Sequence, residues 1–447
     1  MRVDSAAIES EVVPLLQRLI RFRSVNPPGD ELPVAQFIDD LFKREGIESR
    51  ILIPVDNRGI VIAKIPGDGT ERPVMLLAHT DVVSVEADKW SCDPFEGVIR
   101  DGYVYGRGAI DDKGMLAANI MTMLLLHREL KATGKKLSRD IVFLATADEE
   151  MGGAAGMKWL TDNHREVLDV EFAINEGGRT RVIEGGKRYL AVQTAEKISH
   201  IVTLTARGPA GHAAIPRDTN AIFRLGRALE RLSQYSEPMT LTNTTGNFFG
   251  KLAEIWPDEA QREAMSALSS ADAESQIRAG AVLSATPVFN AVLRDTISPT
   301  MLMAGTQGNV IPAEASVMLN VRTIPGHSVD DLAARIAAFI GDDSVEVDVT
   351  HRSPDAPGSD ENSAMFEAIA SAANALDPEM AVVPYLSTGA TDSSALRRLG
   401  INAYGLLPFP MIQSDEERMH GHDERVPIAS LVFGTRLIYE SVIRVVS

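Results

Sequence analysis

The residues with the most chemical potential fall where apolar runs stop. The run 74–78 leads into His79-Thr-Asp81, 141–147 into Asp148-Glu149-Glu150, and 170–175 into Glu176-Gly-Gly. A further acidic pair, Asp111-Asp112, lies between Gly106 and Gly114, just ahead of a helical stretch whose free N–H groups favour negative charge. Packing does not explain such a set, because ionised carboxylates are rarely buried without a partner. Metal binding does. Imidazole with carboxylate, and no thiolate, suits zinc, with cobalt or manganese also possible. Two ions held about 3.5–4 Å apart need at least one shared carboxylate. Asp81, two residues beyond His79, is well placed to accept the other ring N–H and fix its tautomer.

In open α/β sheets, ligands bind in the crevice at the carboxyl ends of the strands, so the elements behind these residues matter. The pattern predicts strands at 59–65, 74–78, 141–147 and 170–175, and helices at 5–22, 32–45, 114–130 and 155–164. Near Ser199 the texture changes. A strand at 201–206, a helix at 220–233, strands at 300–305 and 315–323, a helix at 329–340 and a strand at 345–350 follow the order βα–ββ–αβ of a ferredoxin-like module. Its middle segment, about 234–293, is too long for a simple loop and is expected to carry helices. After Pro354, helices at 363–376, 392–399 and 428–445 alternate with strands at 381–385 and 403–407. The expected fold class is α/β: a mixed, mainly parallel sheet flanked by helices, built from 1–198 and 354–447. An α+β ferredoxin-like domain at 199–353, including the helical insertion, is expected to interrupt it.

Composition narrows the function classes. A chain of 447 residues with 45% hydrophobic and 24% charged residues has ordinary globular composition and room for more than one core. A formal charge of −18 argues against nucleic acid as partner, since that leaves a basic stripe. Cys92 is the one cysteine, so no internal disulfide is expected, which fits a reducing compartment. The opening segment lacks the basic-then-apolar layout of a secretion signal, and no run approaches 18 apolar residues, so no membrane span and a cytoplasmic setting are expected.

Taken in order, the motifs resemble those of the M20 metallopeptidases, which include aminoacylase, succinyl-diaminopimelate desuccinylase and the glutamate-releasing carboxypeptidases. His79-Thr-Asp81-Val-Val resembles the first ligand motif of that family, and Gly108-Ala-Ile-Asp111-Asp112-Lys-Gly114 its bridging-aspartate motif. Asp148-Glu149-Glu150 is similar to its catalytic glutamate pair, Asn175-Glu176-Gly to its next ligand, and His420-Gly-His-Asp423-Glu424 to its last. The resemblance implies a zinc-peptidase-like catalytic domain with two divalent ions. One would lie on His79 and Glu176, the other on Glu150 and His420, with Asp111 bridging and Glu149 as general base. Asp112 is the alternative bridge and His422 the alternative last ligand. The resemblance also implies that His212 supports the oxyanion, often in a neighbouring subunit's site, so a homodimer through the inserted lid domain is expected. Asn309, Arg322 and the loop at Gly389 resemble substrate-binding positions, and an arginine fork suits a substrate carboxylate. The segment within the lid, with Asn309-Val-Ile-Pro312 and Asn320-Val-Arg322, looks most like the carboxypeptidase S and N-acyl-amino-acid hydrolase branch.

Rival chemistries lack their marks. There is no Gly-x-Ser-x-Gly elbow, and Cys92 has no catalytic signature around it. Gly106-x-Gly108 lacks the third glycine of a dinucleotide loop, and Asp111 and Asp112 would repel a pyrophosphate. The remaining alternative is a catalytically silent protein that keeps the fold and binds metal or ligand. The expectation is two-metal hydrolysis of an amide bond in a dipeptide or N-acyl amino acid bearing a free carboxylate.

Overall fold

The computed structural model describes residues 4–270 and 272–447. Its larger sheet runs Glu48–Leu52, Ile60–Ile65, Ile141–Thr146, Val74–His79, Phe172–Asn175, Asn402–Gly405, Arg188–Glu196 and Ala381–Ser387 in spatial order, with Arg179–Val182 pairing on Arg188–Glu196. The centre is parallel: Val74–His79 pairs in that sense with both neighbours, and Asn402–Gly405 with Phe172–Asn175. The edge formed by the first three strands is antiparallel, so the sheet is mixed.

Val74–His79 reads as an unbroken apolar run because both faces are covered. On one face lie the helices Ser5–Ile20, Lys113–Thr133 and Ile428–Val446, which share a core with Leu76 and Ala78. Met157–Asn163 and Ser393–Arg398 cover the other, around Met75 and Leu77. Lys113–Thr133 is apolar nearly all round because it lies between the sheet and two other helices, and it stops at Gly134, whose φ of 66° suits a residue without a Cβ.

A second sheet is antiparallel throughout, in the order Thr296–Ala304, Glu314–Thr323, Ile198–Arg207, Val345–Arg352. The helices Ala221–Leu232 and Val329–Ile340 close its core through Leu225, Ala228, Leu332 and Ile336. This is the βα–ββ–αβ order read from the sequence. The long middle segment does form helices, at Asn243–Leu252, Glu259–Ala267, Ala273–Leu283 and Pro287–Val292. They pack on the larger sheet instead of on this module, burying Phe248, Phe249, Leu283 and Phe289 against Tyr189, Ala191, Val383 and Tyr385. No helix among the described residues is long and apolar enough to cross a membrane.

Candidate metal centre

The strand Val74–His79 ends with His79 buried at the carboxyl edge of the sheet. Its Nε2 lies 2.9 Å from Asp111 Oδ1 and 3.9 Å from Glu176 Oε1. Nδ1 faces back along its own chain, 3.0 Å from the Asp81 carbonyl oxygen and 3.3 Å from the Asp81 carboxylate. Glu176 follows the parallel neighbour Phe172–Asn175. Gly177, at φ 113°, turns the chain there, and a Cβ on Gly178 would lie 2.4 Å from the Gly405 carbonyl oxygen, so the Glu-Gly-Gly turn tolerates no side chain at that approach.

The second half of the cluster comes from two loops and the 3-10 turn Glu149–Met151. Asp111 precedes the Lys113–Thr133 helix and turns Oδ2 toward His420 Nε2 at 3.1 Å. Glu150 Oε1 lies 3.2 Å from the same nitrogen but makes no aligned hydrogen bond. Ligand atoms of His79, Asp111 and Glu176 form one compact group, and those of Asp111, Glu150 and His420 another, with all atoms in each within 4.8 Å of one another. Asp111 belongs to both.

Glu149 is in neither group. The turn that carries it is held by Asp81, whose carboxylate accepts from the Glu149 and Glu150 backbone N–H groups, at 3.1 Å each, and from Asn26 Nδ2 at 2.8 Å. Asp112 also lies outside both groups; its Oδ2 accepts from the His79 backbone N–H at 3.2 Å. His422 points elsewhere, to Glu86 at 3.0 Å.

The electrostatics are those of crowded acids. Burial drives the Glu176 and Glu149 carboxyls well above the usual carboxylate range, and neighbouring carboxylates, Asp111 among them, add to it. The facing carboxylates of Asp111 and Glu150 favour the protonated imidazole and push His420 up to about 10. Burial would lower His79, but Asp111, Asp81 and Glu176 outweigh it and raise the imidazole well above its ordinary value. Burial also works against Asp111, yet the two imidazoles hold it ionised, below the usual carboxylate range. Six carboxylates, Asp81, Asp111, Asp112, Glu149, Glu150 and Glu176, thus converge on two imidazoles. Hard oxygen and borderline nitrogen donors around a shared carboxylate fit divalent cations.

The remaining sequence-predicted residues lie apart from this cluster. His212 pairs with Val310 in a two-stranded ribbon, where the Asn309 carbonyl oxygen accepts from Ala213 N–H at 3.0 Å. Both His212 and Asn309 are exposed, and among the described residues no hydrogen bond or ion pair joins His212 to the cluster. Arg322, on Glu314–Thr323, donates through Nε to Asn320, while its Nη1 is buried and has no hydrogen-bond partner among the described residues. Gly389 is exposed just beyond Ala381–Ser387 and donates its N–H to Ser387 Oγ.

Sequence reasoning missed the residues that hold the cluster from behind. Asn26 also donates to Asp148 Oδ1 at 2.9 Å, and Arg58 reaches both Glu31 and Asp148. Asp392 is buried and accepts from Thr146 Oγ1 at 2.9 Å; burial raises it to about 7. A charged or amide residue at the edge of an apolar stretch was the only local sign of these roles.

A family model described as Peptidase family M20/M25/M40 matches residues 75–444. Probable carboxypeptidase S-like 2 of Dictyostelium discoideum is 31% identical over 382 residues, 81% of this chain and 69% of that protein. Human N-fatty-acyl-amino acid synthase/hydrolase PM20D1 is 27% identical, over 83% of this chain and 74% of its own. Among solved structures, an M20 family metallo-carboxypeptidase, Sso-CP2 of Sulfolobus solfataricus, superposes with a TM-score of 0.71 at 18% identity, over 97% of this chain and 98% of that one. A dinuclear metal binding peptidase from the M20 family, YXEP of Bacillus subtilis, gives 0.62 at 16% identity, over 98% of each chain.

Proposed function

The chain belongs to peptidase family M20/M25/M40, and from that premise we propose that it cleaves the amide bond of dipeptides or N-acyl amino acids with two zinc ions. That it is a metal-dependent amide hydrolase follows from the family. The proposal lies in the ions, the residues and the substrate. The observation that carries it is the pair of ligand groups sharing Asp111, with Glu149 beside them and outside both. His79 and Glu176 would hold one ion and Glu150 and His420 the other. Such ions supply Lewis acidity, polarising the substrate carbonyl and making a water acidic enough to attack at neutral pH.

The chain's own groups do the rest. Glu149 takes the proton of the attacking water and delivers it to the leaving amine, a task suited to a carboxyl that burial has made more basic than usual. Asp81 holds His79 in one orientation and fixes the turn that aims Glu149. Arg322, with a buried nitrogen lacking a partner, is the candidate fork for the substrate carboxylate, and Asn309 and Gly389 are assigned to the substrate's path.

The second sheet with its two helices, within residues 199–353, acts in this reading as a lid that joins two copies, while the helices of 243–292 stay with the larger sheet. Thr296–Ala304 is an edge strand of the second sheet with Met301, Leu302 and Met303 exposed, a surface suited to pairing with a second chain. The ribbon bearing His212 would then complete the neighbour's site and stabilise the oxyanion there. The test is a screen of the zinc- or cobalt-loaded protein against N-acyl amino acids, their carboxamides and dipeptides. Hydrolysis restricted to substrates with a free carboxylate, and abolished by chelation, is expected. Equal turnover of the carboxamides would remove Arg322 from its assigned role.

A further inference from the structure

A buried ion pair, Arg107 with Glu424, joins positions 317 residues apart in the chain. Glu424 is fully buried, and its side-chain hydrogen-bond partners among the described residues lie on the loop that carries Asp111. Oε1 accepts from the backbone N–H groups of Ile110, at 2.8 Å, and Asp111, at 3.1 Å. Oε2 accepts from Gly108 N–H at 3.1 Å and from Arg107 Nη1 at 2.5 Å. The other arm of the guanidinium turns to the loop that carries His420. Arg107 Nη2 donates to the carbonyl oxygens of His420, at 3.2 Å, Gly421, at 3.0 Å, and Ser84, at 3.3 Å. Trp90 covers the guanidinium at 5.4 Å.

The pair therefore grips the backbones of two residues whose side chains meet at 3.1 Å, Asp111 and His420. His420 needs such a grip. Its φ is 60°, a left-handed conformation that a residue with a Cβ keeps only when its surroundings impose it. The two ligand groups differ in this respect. His79 ends a central strand and Glu176 follows another, so the sheet itself holds them. Glu150 sits on a single 3-10 turn, Glu149–Met151, and His420 on a loop.

We propose that Arg107 and Glu424 are positioning residues that set the affinity of the second cation, the one at Asp111, Glu150 and His420, without touching it. The inference rests on the ligand assignment made above. Without the Glu424 carboxylate, three backbone N–H groups and the guanidinium lose their acceptor, and the loops bearing Asp111 and His420 lose their common anchor. The sheet-held pair His79 and Glu176 still offers the first cation most of its site.

Cobalt(II) binding to wild type, Glu424→Gln, Arg107→Lys and His420→Ala, followed by calorimetry and visible absorption, tests this. Glutamine keeps the volume of Glu424 but presents an NH2 group to donors. Lysine keeps the charge of Arg107 but cannot span the carboxylate and the carbonyls together. In both variants the second equivalent should weaken about 10–100-fold, the usual range for partners behind a metal ligand, while the first stays near wild type. At limiting cobalt kcat should fall with KM unchanged, and saturating cobalt should restore it. Should Glu424→Gln fail to fold, Arg107→Lys decides. Wild-type binding of the second equivalent, or equal weakening of both, overturns the proposal. His420→Ala separates the layers: if it too leaves the second equivalent intact, the ligand assignment falls and the inference with it. If it alone removes that equivalent, only the positioning role falls.

Discussion

The cluster around His79 and the ribbon around His212 both carry imidazoles given chemical work, but they are built in opposite ways. His79 is buried, with one ring nitrogen on Asp111 and the other facing Asp81, which is itself held by Asn26. Its neighbours are fixed by strands of the larger sheet and by partners from distant parts of the chain. His212 is exposed, on a ribbon of two residues per strand, and its Nδ1 accepts a local hydrogen bond from Ala214 N–H at 3.1 Å. A group held from several sides is ready to act where it stands. A group presented on a thin exposed ribbon is ready to act on something brought to it, which on the reading above is a second copy's site. The contrast gives a rule for mutations: changes in the cluster should act within one chain, and changes on the ribbon should be repairable by another.

The largest effect is expected at the residue common to both ligand groups. Asp111→Asn should cost both cations and reduce turnover by more than about 10⁴-fold, beyond what a single general base contributes. Metal analysis of the purified variant checks it; a variant retaining two ions would show that Asp112, the alternative bridge, takes over. Glu149→Gln comes next. It should lower kcat about 10²–10⁴-fold while metal content stays at the wild-type level, because a proton carrier need not bind metal. Loss of metal from Glu149→Gln, with rescue by excess cobalt, would exchange its role with that of Glu150.

His212→Ala should be milder, about 10²–10³-fold in kcat, as for loss of one oxyanion donor. It is also the sharpest test of the comparison. Mixed with inactive Glu149→Gln chains under subunit exchange, it should regain activity, because one hybrid site then contains both wild-type groups. No recovery after verified exchange would place His212 in its own chain's site or outside catalysis.

The same contrast explains what the sequence could reveal. Helix Leu32–Glu45 was legible from Pro33 near its start and Gly46 at its end, and Val329–Ile340 from its Ser328 cap. The buried strands were legible as apolar runs, and the candidate ligands His79, Glu150 and Glu176 because they stand just beyond such runs; Asp111, ahead of a helix, and His420, on a loop, drew attention through their motifs. Arg188–Glu196 was not legible, although it is a nine-residue interior strand. Its second half contains Gln193, Thr194 and Glu196, which read as polar loop but are buried. Gln193 is satisfied by Arg397 at 3.1 Å and by Glu196 at 3.2 Å, partners that only the fold supplies. The site behaves likewise: the candidate ligands announce themselves locally, whereas Asn26, Arg107 and Asp392 acquire meaning only from residues far away in the chain. The helices of 243–292 were expected, but their docking on the larger sheet depends on aromatic contacts with Tyr189 and Tyr385 that helical periodicity does not encode.

The smallest effect concerns protons. In the cation-free chain Asp111 and Glu150 hold the proton on His420 up to about 10, and Asp111, Asp81 and Glu176 hold one on His79, against burial, well above its ordinary value. Burial likewise favours the protonated form of Glu176. Metal ligation needs the lone pairs these protons occupy, so cations must displace them. The sign follows: protons are bound before the metal and released on binding, so apparent affinity should rise with pH below the raised pKa values. The slope should be about tenfold per pH unit for each proton released. Cobalt titrations in two buffers of different ionisation enthalpy, at one pH between 6 and 8, give the number directly. His420→Ala should release about one proton fewer than wild type, because its imidazole carries one of those displaced. His212→Ala should release the same number as wild type, since the ribbon takes no part in holding the ions. A proton count unchanged by His420→Ala, or lowered by His212→Ala, would break the division between a self-contained cluster and a ribbon that serves another site.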